Sequence, residues 1–504
     1  MSELVRVDLE PLGRSLEIES GSPLQDLLFA NGVEFPCGGR GKCKRCRVRV
    51  LSGTLTPTVE ERQILGDADI KAGWRLACRA RVEGPVKLDV AQWETTILTD
   101  ESVFEFTPSS GLGVAVDLGT TTLVAQLLDL ATGRVLAVRT ALNPQAAYGA
   151  DVMSRLELAV AGGGAAKLRD LIRDEIGRMV GELAEGHALD HRKVRDVVIV
   201  GNTVMHHLFC DLPLNGLARA PFETEGDGLV LFEARELAWP LPEDTRVRFL
   251  PGLGSFVGSD ILAGIVATKM HMSDQLVALI DLGTNGEIVV GGRDRMICAS
   301  TAAGPAFEGG RISMGMRAAT GAISAVSVDD GRLSCKVMGG GQPRGLCGSG
   351  LVDAVAAGLD LGAILARGRI KHGKSWEISP PVSLTQNDVR ELQLAKGAIA
   401  AGVRILLARL GAAVADVTRV YLAGAFGNYV SRASARRIGL LDFPLDRIEP
   451  AGNTALLGAK LALFSPGLGE ELHSRVRSTT EHLSLAADPA FQDTYVDEMS
   501  FPAT

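Results

Sequence analysis

The sequence lacks the features that would direct a protein to nucleic acid, to a membrane or to secretion. The 504-residue chain has a net charge of −8 instead of an excess of basic residues, which argues against nucleic acid or an anionic membrane as a main partner. Its longest apolar helical stretch, residues 394–411, contains Lys396, Arg404 and Arg409, so we do not expect it to span a membrane. In the first residues, MSELVRVDLEPLGR, apolar and polar residues alternate and several are charged, so no secretory signal is expected. These absences predict a cytoplasmic protein.

Two common nucleotide-binding motifs are also missing. The chain contains no G-x-x-x-x-G-K-[ST] sequence, and no G-x-G-x-x-G opens a helix after a strand. A nucleotide would therefore have to be held by a different arrangement of turns.

The eight cysteines are too few for a secreted disulfide scaffold of this length, but three of them lie close together. Cys37, Cys43 and Cys46 have the spacing C-x5-C-x2-C, and Cys78 follows in WRLACRA. Plant-type 2Fe–2S ferredoxins have C-x4-C-x2-C and a distant fourth cysteine, so the first gap here is one residue longer. Glycines in the loop allow backbone N–H groups to turn towards the sulfurs. The pattern predicts that these four cysteines bind a 2Fe–2S cluster.

The residues around the cysteines agree with a ferredoxin but leave alternatives open. LVRVDLE and RSLEIES read as a hairpin, PLQDLLFANG as a short helix and CRVRVLSG as a strand, which is the β-grasp pattern and ends near residue 95. A zinc site of four cysteines usually has two C-x-x-C pairs, and only Cys43 and Cys46 form one here. Unligated buried cysteines would not explain the spacing.

A second motif occurs twice, each time at the end of an apolar strand. Asp117 is followed by Leu-Gly-Thr-Thr and Asp281 by Leu-Gly-Thr-Asn, and another strand follows each turn. An aspartate at a strand end can hold Mg²⁺ through water, because hard cations prefer oxygen ligands. The turns place Gly119, Thr120 and Thr121, and likewise Gly283, Thr284 and Asn285, where backbone and side chains can contact phosphate oxygens. One such hairpin alone is weak evidence, but two copies predict paired phosphate loops that close on ATP.

A third glycine-rich strand end is VTRVYLAGAFGNYV, residues 417–430. Gly424 and Gly427 would let an adenosine approach the backbone. The segment GLCGSGLVDAVAAGL, residues 345–359, reads either as an anion-binding helix start or as an ordinary capped helix.

Several further polar residues have more ordinary interpretations. Glu308 and Asp151 would be able to position water, although a structural or capping role is favoured for both. His206 and His207 are adjacent and cannot share one helix face, so an interior or partner-surface role is favoured over metal binding.

These motifs resemble a known family. The two DLGT turns and LAGAFG resemble the superfamily of acetate and sugar kinases, heat-shock ATPases and actin, and with an N-terminal ferredoxin they resemble the reductive activators of corrinoid proteins. Other matching stretches are NPQAAYGADVMSRL (143–156), GNTVMHHLF (201–209), LPGLGSFVGSDILAGI (250–265) and STAAGPAFEGGRI (300–312). The resemblance implies an α+β β-grasp ferredoxin domain followed by an α/β actin-like ATPase of two RNase H-like lobes. It also implies ATP-dependent, one-electron reduction of a cobalt(II) corrinoid to cobalt(I).

The implied domain organisation has five parts. We expect a ferredoxin domain at 1–95, a flexible linker at 96–111, ATPase lobe I at 112–275, lobe II at 276–465 and a C-terminal tail of unknown role at 466–504. Larger members of the family carry an extra middle domain between ferredoxin and ATPase. Cys78 and Asp117 are so close in sequence that this domain is expected to be absent, which leaves open any dimer built through it.

The favoured interpretation is therefore an enzyme with Asp117 and Asp281 as catalytic residues. Its cofactors would be a 2Fe–2S cluster, ATP and Mg²⁺, and its partners a corrinoid protein of a methyltransferase system and a low-potential electron donor. The alternatives are an actin-like small-molecule kinase and a nucleotide-controlled binding clamp, each with a redox-sensing ferredoxin domain. The sequence names neither the corrinoid protein nor the donor.

Overall fold

The computed structural model of the chain describes most of its residues. These are 4–10, 14–30, 47–89, 108–149, 151–185, 191–219, 222–224, 226–283, 285–316, 318, 321–338, 341–427 and 429–503. Cys37, Cys43, Cys46, Thr284 and most of the expected linker lie outside the described residues.

The N-terminal domain is a mixed five-stranded sheet with one helix packed against it. In it β1 pairs with β7 in parallel, whereas the other neighbours in the order β2-β1-β7-β4-β5 are antiparallel. Alternation in β1 buries Val5, Val7 and Leu9 against Leu24 and Leu28 of α1. The predicted β-grasp fold is confirmed. The elements are β1 (Leu4–Glu10), β2 (Arg14–Glu19), β3 (Ser22–Pro23), α1 (Leu24–Ala30), β4 (Arg47–Gly53), α2 (Val59–Leu65), α3 (Asp67–Lys71), β5 (Trp74–Leu76), β6 (Arg81–Val82) and β7 (Val86–Asp89).

The next part of the chain forms a six-stranded sheet with helices on both faces. Its strand order is β10-β9-β8-β11-β13-β12, with β8 central and parallel to β11. The elements are β8 (Leu112–Leu118), β9 (Thr122–Asp129), β10 (Val135–Leu142), α4 (Val152–Ala161), α5 (Ala165–Glu185), β11 (Val194–Gly201), α6 (Thr203–Cys210), β12 (Val230–Glu233), β13 (Arg246–Phe249) and α7 (Ser259–Ala267).

A second six-stranded sheet repeats this topology. Its order is β23-β22-β14-β15-β16-β24, with β14 central. Five strands of each sheet occupy corresponding places: β14, β15, β16, β22 and β23 match β8, β9, β10, β11 and β13. The predicted pair of RNase H-like lobes is confirmed. The elements are β14 (Val277–Leu282), β15 (Gly286–Gly291), β16 (Met296–Thr301), β17 (Ala322–Asp329), β18 (Arg332–Val337), β19 (Gly345–Leu346), α8 (Gly348–Asp360), β20 (Ser375–Ser379), β21 (Val382–Thr385), α9 (Gln386–Arg409), β22 (Arg419–Ala423), α10 (Gly424–Gly427), α11 (Arg432–Arg437), β23 (Ile448–Gly452), α12 (Thr454–Phe464), α13 (Pro466–Thr479), β24 (Thr480–His482) and α14 (Phe491–Glu498).

Helices α7 and α12 connect the two lobes. They pack so closely that a Cβ at Gly458 would lie 2.3 Å from the carbonyl oxygen of Ala263. Helix α12 also covers the first sheet, where the buried Arg248 pairs with Asp196 at 2.7 Å and donates to the carbonyl of Ala462 at 2.9 Å. Helix α12 contacts β8 and helix α7 contacts β14, so this helix pair brings together the two strands that precede the DLGT turns.

The C-terminal residues are part of the second lobe, contrary to the separate tail expected for 466–504. Strand β24 pairs in parallel with β16, and α14 packs along α9. Gln393 donates to the carbonyl of Met499 at 2.8 Å, and the buried Lys396 donates to that of Ser500 at 2.9 Å. This docking could not be predicted from the residue pattern, because the anchoring groups are backbone carbonyls, which any residue provides. Among the described helices none is both long and apolar enough to cross a bilayer.

Candidate active site

The two repeated aspartates, one from each lobe, lie near one another. Asp117 lies at the end of β8 and Asp281 at the end of β14, the central strands of the two sheets. The negative charge of Asp117 is one cause of a raised pKa at Asp281, so the two carboxylates are close enough to interact. The structure thus brings together the residues that the repeat predicts as a pair.

Two further acidic residues complete this group, and the sequence interpretation missed both. Asp260 lies in the first turn of α7, and Glu287 lies on β15 directly opposite Asp281 in the antiparallel register. We call Asp117, Asp260, Asp281 and Glu287 the carboxylate cluster. Asp260 looks in sequence like an ordinary acid in the first turn of a helix. Glu287 is the single charged residue in an otherwise apolar strand, and this was the sequence feature that could have identified it.

Burial and mutual repulsion disfavour ionisation of these acids. Burial raises the pKa of Asp117 to about 6, while a hydrogen bond from Asn453 Nδ2 at 2.7 Å opposes the rise. Burial and the neighbouring charge raise the pKa of Asp281 to about 7. The pKa of Asp260 is also raised to about 7, by burial first and then by Asp281 and Asp117. For Glu287, burial and the charges of Asp260 and Asp281 raise the pKa well above its usual value. No basic side chain contributes to these shifts.

In the part of the chain that the structure describes, no basic side chain offsets these four acids, and such a site suits a divalent cation. Among the described residues, no three Asp, Glu, His or Cys side chains are close enough together to chelate a metal directly. Carboxylates in this arrangement would hold a hydrated Mg²⁺ through its water shell.

The first turn, which the sequence predicts as a phosphate loop, is tightly constrained. A Cβ at Gly119 would lie 2.6 Å from the carbonyl oxygen of Thr122, so the tight turn requires glycine. Asn202, which caps α6, donates from Nδ2 to Thr120 Oγ1 at 2.9 Å. Thr121 follows at the rim of the cleft and is half-buried.

The second turn is less constrained. Gly283 donates its N–H to the carbonyl of Asn285 at 3.0 Å, and a Cβ at Gly283 would meet only this oxygen, at 3.6 Å. Thr284 lies outside the described residues.

The predicted adenosine turn contacts the carboxylate cluster directly. Gly424 has φ +81°, and a Cβ there would lie 2.4 Å from Asp281 Oδ1. Gly427 ends the short helix α10, where a Cβ would approach Leu422 Cγ at 3.1 Å. The two glycines thus allow the turn to pack beside the end of β14.

The start of α8 is buried within the second lobe instead of facing the cleft. A Cβ at Gly348 would lie 1.9 Å from the carbonyl oxygen of Phe307, and the Phe307 ring stacks on Phe426 with centroids 4.5 Å apart. Ser349 donates to the carbonyl of Ser324 at 2.8 Å. This packing favours the structural interpretation of residues 345–359.

The other sequence candidates have structural roles. Asp151 caps α4 by accepting the N–H of Ser154 at 2.8 Å, and this bond is the main reason that its pKa is lowered. His207 donates from Nδ1 to the carbonyl of Pro213 and accepts the Thr224 hydroxyl at Nε2, both at 2.6 Å. His206 is buried and stacks on the Phe249 ring. The side chain of Glu308 is exposed.

One of the four predicted cluster ligands can be located. Cys78 is half-buried and forms no disulfide with another described cysteine. It lies in a turn after β5 in which the N–H groups of Arg79 and Ala80 donate to the carbonyl of Leu76, at 2.8 and 3.1 Å. The buried Glu61 accepts the N–H of Leu76 at 2.7 Å and fixes the start of this turn. The remaining ligands, Cys37, Cys43 and Cys46, are outside the described residues.

Comparison with family models defines the class of protein. Residues 7–83 match the 2Fe-2S iron-sulfur cluster binding domain, residues 112–273 match the RACo middle region, and residues 275–504 match the C-terminal, ASKHA domain of RACo. The chain is therefore a ferredoxin-type redox domain joined to an actin-like ATPase.

Full-length relatives define the family within that class. The chain is 34% identical over 439 residues to the corrinoid activation enzyme RamQ of Eubacterium limosum, covering 80% of this chain and 74% of that protein. It is 30% identical over 424 residues to the [Co(II) methylated amine-specific corrinoid protein] reductase of Methanosarcina barkeri, covering 77% of each. A solved reductive activator for corrinoid, iron-sulfur protein superposes with a TM-score of 0.70 and 27% identity, over 99% of this chain and 98% of that one. The chain belongs to the RACo family of reductive activators of corrinoid proteins.

The match to the middle region concerns the extra domain that we expected to be absent between the ferredoxin domain and the ATPase. The segment that the family model calls the middle region coincides with the first lobe, so that segment is present. The absence of an additional domain between the ferredoxin domain and Asp117 stays a prediction, and so does its effect on dimerisation.

Proposed function

We propose that this chain uses ATP to deliver one electron from its 2Fe–2S cluster to the cobalt(II) corrinoid of a methyltransferase corrinoid protein, which regenerates cobalt(I). The observation that carries the proposal is the presence, in one chain of the RACo family, of a 2Fe–2S domain and of an ATPase cleft lined by four acids. The printed names of the relatives, a corrinoid activation enzyme and a corrinoid protein reductase, support this substrate.

The cluster is assigned to Cys37, Cys43, Cys46 and Cys78. When bound, a 2Fe–2S cluster supplies a one-electron redox centre of low potential. The turn that contains Cys78 would present the fourth thiolate, and Cys37, Cys43 and Cys46 would supply the other three. A low-potential donor would reduce this domain from outside. Thiolate ligands and reduced cysteines agree with a cytoplasmic location.

The nucleotide is assigned to the cleft between the lobes. Gly119, Thr120 and Thr121 would contact phosphate oxygens from one lobe, and Gly283, Thr284 and Asn285 from the other. The turn from Gly424 to Gly427 would face the adenosine. Asp117 and Asp281 would accept hydrogen bonds from the water shell of Mg²⁺, and Asp260, at the start of α7, would position the water for hydrolysis.

The difference in reduction potential between the cluster and the cobalt(II)/cobalt(I) couple would explain the need for ATP. A plant-type 2Fe–2S centre has a potential of about −400 mV, and the cobalt(II)/cobalt(I) couple is expected to lie lower. Each deficit of about 59 mV lowers the equilibrium yield of a one-electron transfer about tenfold. ATP can therefore act only by stabilising a complex in which the corrinoid is easier to reduce or the electron is trapped.

The test is anaerobic absorption spectroscopy of a corrinoid protein mixed with this protein, a reductant, ATP and Mg²⁺. Cobalt(I) is expected only when all components are present, and neither a protein without its cluster nor one with Asp281→Asn should produce it. Equal rate and yield of cobalt(I) without nucleotide would contradict the ATP-dependent part. Phosphorylation of a small molecule without cobalt reduction would favour the kinase alternative instead.

A further inference from the structure

One segment of the first lobe donates hydrogen bonds to three consecutive backbone carbonyls of the first DLGT turn. Asn143 donates from Nδ2 to the carbonyl of Gly119 at 3.0 Å and from its N–H to that of Thr121 at 2.9 Å. Arg155 donates from Nη2 to the carbonyl between them, that of Thr120, at 2.6 Å. All three consecutive carbonyls of the turn are thus bound on the same side, by residues of the stretch 143–155.

This arrangement fixes the direction of the N–H groups. In a trans peptide the C=O and the N–H of the same plane point in opposite directions. The N–H groups of Thr120 and Thr121 therefore point away from Asn143 and Arg155. Within the described part of the chain neither N–H donates to an acceptor. Two adjacent N–H donors that point the same way suit the oxygens of an anion.

Arg155 is an unusual residue to bind the back of such a turn. It is fully buried, and besides Thr120 it donates to the carbonyl of Gly149 at 3.0 Å and to Gln145 Oε1 at 3.1 Å. Among the described residues no carboxylate lies within ion-pair distance of it. The nearby Asp151 uses its carboxylate to cap α4.

A buried cation without a carboxylate at ion-pair distance is unfavourable unless negative charge compensates it, and the nearby Asp151 supplies part of that compensation. Burial lowers the pKa of Arg155 to about 10, so the guanidinium stays charged at neutral pH. Its bond to the Thr120 carbonyl also polarises that peptide, because hydrogen bonds in series strengthen one another. The Thr121 N–H at the other end of the peptide becomes a stronger donor.

We propose that Arg155 is a positioning residue for the nucleotide phosphates. It acts through the peptide between Thr120 and Thr121, and its charge is compensated when a polyphosphate binds on the far side of the turn. This inference rests on the proposed ATP site and adds a residue that touches no nucleotide atom. It predicts that Arg155 contributes to the binding of phosphate groups and not to that of adenosine.

The test compares ATP, ADP and adenosine binding to the full chain by titration calorimetry with Mg²⁺. Arg155→Met removes the charge and keeps the aliphatic bulk, Arg155→Gln keeps a donor without the charge, and Arg155→Lys restores the charge. Arg134→Met, at an exposed arginine of the same lobe, is the matched control. Both neutral variants are expected to raise the Kd for ATP about tenfold or more and to change that for adenosine less than about twofold. Arg155→Lys should recover most of the preference for ATP over adenosine.

The outcomes separate this role from mere stabilisation and from a failure of the proposed function. A purely structural arginine would weaken ATP and adenosine binding in parallel, and an unchanged ratio of the two Kd values in the neutral variants would overturn the inference. If Arg155→Met does not fold, Arg155→Gln decides by the same ratio. A wild-type chain that binds no ATP would contradict the nucleotide site itself.

Discussion

Because of the carboxylate cluster, we predict that the metal-free protein becomes less stable as the pH rises. In the folded protein without metal, the pKa of Asp260 is raised from 3.8 to about 7 by burial and by the charges of Asp281 and Asp117. Between pH 4 and 7 the folded state therefore binds more protons at this site than the unfolded chain does. Since stability falls with rising pH wherever the folded state binds more protons, the metal-free protein should lose stability across this window.

The size of the effect follows from the shift. Three pKa units at about 1.4 kcal/mol each give an upper bound of about 4 kcal/mol for Asp260. Asp260→Asn removes the charge and keeps the shape, so the metal-free variant should be more stable than the wild type at pH 8 and about equal to it at pH 4. Bound Mg²⁺ compensates the acids, and it should stabilise the wild type more at pH 8 than at pH 5.

Scanning calorimetry at several pH values, with EDTA or with Mg²⁺, measures the pH dependence of stability. The unfolding transition that ATP shifts is the one to follow, because it belongs to the ATPase lobes. Asp294→Asn, at an aspartate whose side chain is 91% exposed, is the matched control and should leave the pH profile unchanged. The cluster would be refuted if the wild type without metal were as stable at pH 8 as at pH 5. It would also be refuted if Asp260→Asn had the same pH slope as the wild type.

Three other predictions test separate parts of the molecule. Cys43→Ser should impair the cluster and leave ATP binding largely intact, because the two sites lie in different domains; one zinc and no iron in anaerobically prepared wild-type protein would contradict the cluster. Asp281→Asn should abolish most Mg²⁺-dependent ATP hydrolysis, since an amide orders the metal's water shell poorly, while the cluster spectrum stays normal; full activity in both Asp281→Asn and Asp117→Asn would show that the nucleotide binds elsewhere. Gly424→Ala should displace Asp281 and cost about 1–2 kcal/mol from the positive φ alone, seen as lower ATPase activity and a lower unfolding temperature; an unchanged activity would mean that the turn and Asp281 move independently.

The exact repeat of a short motif let the sequence predict the architecture. Asp117 and Asp281 each end an apolar strand before a glycine turn, and this pattern depends on local geometry that a sequence displays directly. The same holds for the β-grasp alternation around Val5, Val7 and Leu9. Such features need only neighbouring residues, so the duplicated turn and the ferredoxin pattern could be predicted from the sequence, whereas the two RNase H-like lobes were implied by the family resemblance.

Only the tertiary structure decided which other residues join the site. Asp260 comes from a helix start, where an acid is ordinary, and Glu287 from a neighbouring strand, where its charge among apolar residues marks it as unusual without indicating its partners. Asn453 reaches Asp117 only because α12 returns across the first sheet. Arg155 reaches the Thr120 carbonyl from a helix further along the chain. Local sequence therefore specifies the turns and their chemistry, whereas the charge balance around the carboxylate cluster depends on side chains that become neighbours only when the two sheets and their helices pack together.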